Sequence, residues 1–313
     1  MFHLTLRQLQ IFEAVASHSS YSRGAEKLHL TQPAVSMQIK QLEENIGLPL
    51  FSQIGKKIQL TDIGEELLHH SRNITQRIRL AEEAIDDFKG LRRGRLNIAI
   101  VSTAKYFAPQ LLGQFSRVQR GVDLKLAVGN REEVVQKLAA YEIDLAIMGR
   151  PPEGIDVIAD PFAKHPHVII APPDHPLAAK RRIPLARIAE ETFIMREPGS
   201  GTRINLERLF AEHGLTLKAG MEMSSNETIK QAVIAGMGIS FLSLHTVVQE
   251  LQAQRLHSLN VVGLPIVRNW YVVFRRDKRL SPMALAFKDF LLREAGPMLP
   301  RSESALARAV RSA

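Results

Sequence analysis

Residues 25–36 read AEKLHLTQPAVS, and the N-terminal fold turns on that stretch. Thr31 can accept a hydrogen bond from a free first-turn amide of a helix, and Pro33 suits that turn because its missing N–H costs little there. Val35, Ile39, Leu42 and Ile46 follow at i, i+4, i+7 and i+11, one narrow apolar stripe, until Gly47 stops the helix. Gln32, Ser36, Met37, Gln38, Lys40 and Gln41 occupy the other faces. Upstream, Ser20 can cap a short helix running to Leu28. Before it, Thr5-x-x-Gln8 forms the capping box of a first helix running to His18. Downstream, residues 48–60 carry Gly55-Lys56-Lys57 at their centre and have room for two strands and a turn. Three short helices and a basic hairpin predict a winged helix-turn-helix. Short polar groups on the third helix can reach base edges in a major groove, and Lys56 and Lys57 suit phosphates. A three-helix module that binds protein is the alternative on pattern alone.

Asp62-x-x-Glu65 predicts the cap of a long helix reaching about residue 89, on the order of 40 Å at 1.5 Å per residue. Its apolar residues, Ile63, Leu67, Ile74, Ile78, Ile85 and Phe88, recur at heptad spacing. So narrow a seam predicts pairing with a second copy of the chain, with packing onto the chain's own C-terminal part as the alternative. From Leu96 the pattern alternates: strands at 97–101, 123–128 and 143–148 with helices at 104–118 and 132–141 predict a doubly wound α/β fold. Strands at 168–171, 192–195, 218–223, 239–242 and 270–274, with helices between and after them, predict a second lobe and a cleft. Ligands of such sheets sit beyond the strand ends, here Ser102-Thr103, Gly129-Asn130 and Gly149-Arg150.

The 313 residues are 45% hydrophobic and 23% charged, which suits two or three folded units and excludes disorder. No run of eighteen apolar residues predicts a membrane span. With no cysteine there is no disulfide, thiolate metal site or cysteine nucleophile, as suits a reducing cytosol. MFHLTLRQLQIFEAVASHSS interrupts its apolar residues with Arg, Gln, Glu and His, so a cytoplasmic protein is expected. A net charge of +9 points to an anionic partner. Residues 1–89 hold ten Lys/Arg against eleven Asp/Glu, however, so the excess lies further on and reads mostly as solvated surface.

Ser102-Thr103 and Gly199-Ser200-Gly201-Thr202-Arg203 each follow a strand and open a helix, so both can present amides and hydroxyls to an anion. Arg203 or Arg150 would supply counter-charge, although each segment alone reads equally as a cap. Gly236-Met237-Gly238 lacks the third glycine of a dinucleotide loop, and there is no P-loop, His-Glu-x-x-His or Gly-x-Ser-x-Gly. His165-Pro166-His167 and His69-His70 have no carboxylates at ligand spacing and read as structural, and Asp144 reads as a turn residue. No metal site or catalytic residue is expected. Two rivals remain: a solute receptor of the same fold, and an enzyme with its chemistry in the cleft.

The pattern Ala25-x-x-Leu28-x-x-Thr31-Gln32-Pro33-Ala34-Val35-Ser36, continued by Gln38-Ile39, Leu42-Glu43 and Leu50-Phe51, resembles the LysR-type transcriptional regulators over residues 4 to about 298. More narrowly, LTQPAVSMQIKQLEE with LPLFSQIGKKIQLT resembles the branch that controls Calvin-cycle carboxylase operons; another metabolic operon is the alternative. The resemblance implies a multidomain chain: an all-α winged helix-turn-helix (1–60), a linker helix for dimerisation (61–90), a two-lobed α/β periplasmic-binding-protein-like effector domain (91–300) and a basic tail (301–313). The lobes would be 92–163 with 268–298, and 164–267. It also implies a homodimer paired into a homotetramer on an interrupted inverted repeat of double-stranded DNA, contact with RNA polymerase, and activation by a small anionic metabolite with no other cofactor. By position, DNA contacts fall on Gln32, Pro33, Ser36, Met37 and Lys40, with the wing at Lys56 and Lys57. Effector contacts fall on Ser102, Thr103, Asn130, Met148, Thr202 and Arg203. Two residues depart from the family: Met37 stands where many members have Arg, and Ser52-Gln53 replaces a common Glu-Arg pair.

Overall fold

In the computed structural model, which describes residues 4–54, 57–88 and 94–299, the chain forms two units, Met1–Leu91 and Arg92–Ala313. The first begins with α1 (Leu6–His18), α2 (Tyr21–Lys27) and α3 (Gln32–Ile46). Thr5 and Gln8 cap α1 reciprocally: the Gln8 amide donates to Thr5 Oγ1 (3.2 Å) and the Thr5 amide to Gln8 Oε1 (3.1 Å). Thr31 caps α3, and Gly47 ends it at φ +80° with no neighbour to meet a Cβ, so backbone conformation is what selects glycine there. Gly24 is chosen for space instead, since a Cβ would lie 3.0 Å from the Val15 backbone where α2 crosses α1. Ile11, Phe12, Val15, Val35, Ile39, Leu42 and Leu50 close the core.

Strands β1 (Phe51–Ile54) and β2 (Lys57–Leu60) pair antiparallel as the wing; Lys56 at its tip lies outside the described residues. Phe51 packs against Phe12 in a tilted ring pair, centroids 5.4 Å apart, and Glu43 Oε1 accepts from the Leu50 and Phe51 amides at 2.7 and 3.2 Å. That carboxylate ties the wing to α3. Helix α4 (Asp62–Phe88) is capped by Thr61, whose Oγ1 accepts from the Gly64 amide, one residue before the expected Asp62 cap. Asp62 and Glu65 instead complement the positive end of the helix. Ser71 and Thr75 both donate to Glu13 Oε1, at 2.6 and 2.9 Å, fixing one face of α4 on α1. Leu67 is half-buried against the core, so that position of the predicted seam serves the first unit itself. Ile63, Ile74 and Ile85 stay exposed, with Ile78 half-buried.

In the second unit β3 (Arg95–Val101) runs parallel to β4 (Asp123–Gly129) and β5 (Leu145–Met148), linked through α5 (Ala108–Val118) and α6 (Arg131–Ala139). A 3-10 turn at Ser102–Tyr106 precedes α5, where a single helix from 104 was expected; Pro109 in the first turn of α5 suits the restart. Asp144 accepts from the Asn97 amide and pairs with the buried Lys278 at 2.9 Å, a structural ion pair rather than a turn cap alone.

The largest departure from expectation is β6 (Val157–Ala171), fifteen residues long where a strand only at 168–171 was predicted. Pro161, Pro166 and the charges of VIADPFAKHPH mask its period. After it come α7 (Leu185–Ala189), β7 (Thr192–Arg196), α8 (Gly201–Glu212), β8 (Lys218–Met223), α9 (Asn226–Ile234), β9 (Ser240–Ser243), α10 (Leu244–Gln252), β10 (His257–Ser258), β11 (Ile266–Arg275) and α11 (Pro282–Phe290). The whole of β11 pairs antiparallel with residues 157–167 of β6, and β9 and β10 pair with the rest of β6, so the larger sheet, ordered β10-β6-β11-β5-β3-β4 with β9 on β6, is continuous rather than split in two. β7 and β8 form a smaller parallel pair. One apolar core serves the first lobe, from Leu96 to Met148 and Trp270 to Leu299. Two more flank the second, around Phe193 and Phe241 on one side and Ile229 and Leu242 on the other.

Candidate functional sites: an exposed helix face and a cavity

In the first unit α3 leaves Gln32, Pro33, Met37, Lys40 and Gln41 exposed and Ser36 and Gln38 half-buried, while its stripe is in the core. Gln32 Nε2 donates to Ser36 Oγ at 2.9 Å, one turn on, which holds the two expected DNA-contacting side chains side by side. Met37, 63% exposed, is an apolar group projecting into water with nothing in this unit to cover it. Lys40 lies 3.8 Å from Glu44, an exposed pair too weak to hold it back from a phosphate. Lys57 opens β2 beside the undescribed tip.

The second unit encloses a cavity of about 320 Å³ where strand ends and helix starts of the two lobes meet. Ser102, Thr103, Asn130, Met148 and Thr202 line it, as do Arg131, Arg150, Arg208, His165 and His167. Thr202 sits in the first turn of α8, whose amides have no partners within the helix and carry its positive end. The Ser200 hydroxyl does not cap that helix. Ser102 Oγ accepts from Arg196 Nη2 at 3.1 Å; the rest of that buried guanidinium is held by Glu197 and Asn226, so its charge is already neutralised. Asn130 commits its side-chain carbonyl to capping α6, at 2.9 Å from the Glu133 amide.

Arg203 is the exception among the expected ligand residues. It does not line the cavity: Nε donates to Glu207 at 2.7 Å and Nη1 to Glu222 at 2.6 Å. Position 203 lies about 200° round α8 from Gly201, on the opposite face, at 100° per residue. The cations that line the cavity are Arg196, already neutralised by Glu197, Arg150, which the sequence offered as a counter-charge and which pairs with Glu153, and Arg131 and Arg208, which it did not offer. Arg208 was findable, since 201, 204, 205 and 208 share one helical face. Arg131 needed the tertiary structure: its Nη2 donates to Pro151 O at 3.1 Å, and its buried Nε has no acceptor among the described residues. Burial first, and then the neighbouring Arg150, hold the Arg131 guanidinium below its ordinary pKa, the condition an anion would relieve.

No group of three metal-ligating side chains occurs among the described residues, and none of their helices is long and apolar enough to cross a membrane. The family described as bacterial regulatory helix-turn-helix protein, lysR family, matches residues 6–65, and LysR substrate binding domain matches 89–296. The RuBisCO operon transcriptional regulator of Allochromatium vinosum is 54% identical over 296 residues, 95% of this chain and 98% of its own. The regulatory domain of CcmR from Synechocystis PCC6803, solved in complex with 2-PG, is 45% identical with a TM-score of 0.62, covering 64% of this chain and 96% of that one. A full-length OxyR variant from Pseudomonas aeruginosa, 22% identical, shares the fold at a TM-score of 0.73 over 96% of this chain and 99% of its own. The chain belongs to the LysR family of bacterial regulatory helix-turn-helix proteins: it is a DNA-binding transcriptional regulator with an effector-binding domain.

Proposed function

We propose that the protein is a cytoplasmic activator of carbon-fixation genes, among them a ribulose bisphosphate carboxylase operon, and that its cavity takes a small anionic metabolite. The near-full-length identity with a RuBisCO operon regulator carries the choice of target. The cavity chemistry supports the effector class: Arg131, Arg150 and Arg208, with Arg196 already paired to Glu197, line it with one carboxylate, Glu153, beside the amide end of α8. The 2-PG held by the CcmR domain, 2-phosphoglycolate, is an anion of that kind. Gln32, Pro33, Ser36, Met37, Gln38 and Lys40 read the major groove, and Lys56 and Lys57 hold phosphates. Ser102, Thr103, Met148 and Thr202, with Asn130 and Arg131, contact the effector. Two copies pair along α4 through Ile63, Ile74, Ile78 and Ile85, and two such dimers occupy an interrupted inverted repeat, where they meet RNA polymerase.

The test is fluorescence anisotropy of a labelled duplex from upstream of the carboxylase operon against a scrambled duplex, at about 0.15 M salt where non-specific binding is weak. It is repeated with 2-phosphoglycolate, ribulose bisphosphate, phosphoenolpyruvate and NADPH. Preference for the native duplex by about 10³ or more, shifted by one metabolite, is the expected result. Equal weak binding to both duplexes overturns the target.

A further inference from the structure

Strand β6 places His165 and His167 on one of its faces where it passes from the first lobe to the second, and both line the cavity. They are 4% and 1% exposed. Aromatic rings cover their faces: Trp270 lies 3.7 Å from His165, Phe241 5.2 Å from His167, and the two imidazoles are 4.1 Å apart. Stacking uses the faces of a ring and leaves its edge, where the nitrogens are. Neither ring nitrogen of His165 has a hydrogen-bond partner among the described residues, and those of His167 have only weak approaches from backbone groups of His165 and Ile266. The indole N–H of Trp270 is unavailable to them because it donates to His245 Nδ1 at 3.1 Å.

Gly149, also in the cavity wall, meets His165 at the Nδ1 edge, and a Cβ there would sit 2.7 Å from that nitrogen. Glycine leaves this edge uncovered by any side chain. Leaving a buried donor or acceptor unmade costs about 1–3 kcal/mol, so two adjacent imidazoles with open edges are a costly wall unless an occupant completes them. Burial above all keeps both rings uncharged, and a neutral imidazole offers one donor and one acceptor. A phosphate dianion or a carboxylate only accepts. A hydroxyl both donates and accepts, and so can complete either nitrogen.

We propose that His165 and His167 form a hydroxyl-reading subsite in the floor of the cavity, so that anionic metabolites carrying free hydroxyl groups bind in preference to bare anions of the same charge. This rests on the anion reading given under Proposed function: the Arg131 and α8 side would hold the charge, and the histidine floor the uncharged part. The nitrogens have almost no exposed surface, so the subsite requires the rings to turn about their Cβ–Cγ bonds when a ligand enters.

Glycerol 3-phosphate and n-propyl phosphate have the same chain length and charge and differ by two hydroxyls. Calorimetric titration of the full-length protein with each separates the two parts of the cavity. The expected result is a preference for glycerol 3-phosphate of about tenfold or more in the wild type, falling below about twofold in His165→Phe, with propyl phosphate binding unchanged. His165→Gln, which restores a donor and an acceptor, recovers the preference. Equal affinity of the wild type for the two esters, or a preference that survives in His165→Phe, overturns the subsite and leaves the anion reading standing. Binding of neither ester overturns both.

Discussion

Ser36 and Gln32 show how much a single pair of side chains can carry. Their mutual hydrogen bond fixes the Gln32 amide on the exposed side of α3, so removing the hydroxyl frees that amide as well as deleting a polar group proposed to contact DNA. Ser36→Ala should cost about 1–3 kcal/mol of discrimination and blur the footprint; an unchanged footprint and affinity would remove Ser36 from the contacts. In the cavity, Arg131→Gln should weaken binding of a phosphate ester by about tenfold or more, while anisotropy finds operator affinity without effector unaltered. The residue scale is also where the sequence misled. Arg203 follows Thr202 in the chain, yet a step of 100° per residue turns it to Glu207 and Glu222. Arg208, five residues further, returns to the cavity.

Among the elements, α4 divides its work between two faces. Ser71 and Thr75 bind Glu13, and Leu67 joins the core of the first unit, while Ile63, Ile74 and Ile85 remain open at steps of eleven residues. Periodicity located that stripe but not the packing of Leu67, because a heptad pattern records apolarity and not which neighbour supplies the burial. Ile74→Asp places a charge in the open stripe and should dissociate the dimer; sedimentation velocity that still finds a dimer would assign assembly to another surface. The wing was legible from Gly55-Lys56-Lys57 and its flanking apolar residues, and the cap of α3 from Thr31 and Pro33. Strand β6 was legible only at its last four residues, 168–171: prolines and charges break the alternation before them, and pairing of 157–167 with β11 forms that part nonetheless.

For the second unit as a whole, the buried histidines set a response to acid. Both have pKa values below the ordinary one when folded, His167 down to about 3, with burial as the leading cause. Unfolded histidine titrates near 6.5, so below that pH the unfolded chain binds protons that the native one refuses. Their contribution to stability is therefore complete above about pH 6.5 and is lost as pH falls below it. The loss is about 1.4 kcal/mol per pH unit for each histidine until the folded pKa is reached. Trp270 is the only tryptophan in the chain and stacks on His165, so its fluorescence during urea unfolding reports this unit directly. The midpoint should fall between pH 7.5 and 5.5, and fall less in His167→Leu; parallel shifts in both proteins would reject the histidines as the cause.

The sequence by itself determined the helix-turn-helix, the long helix after it, the α/β character of the rest and the family, because caps, stops and apolar periods are local and read within a turn or two of chain. It also placed Ser102, Thr103, Asn130, Met148 and Thr202, because strand ends and helix starts are local features too. Only the tertiary structure decided that β6 and β11 join both lobes in one sheet, that Arg131 and Arg208 rather than Arg203 face the cavity, and that His165 and His167 lie in its floor. Those outcomes depend on pairings between residues about a hundred positions apart and on the rotation of a helix against its neighbours, and no local pattern encodes either.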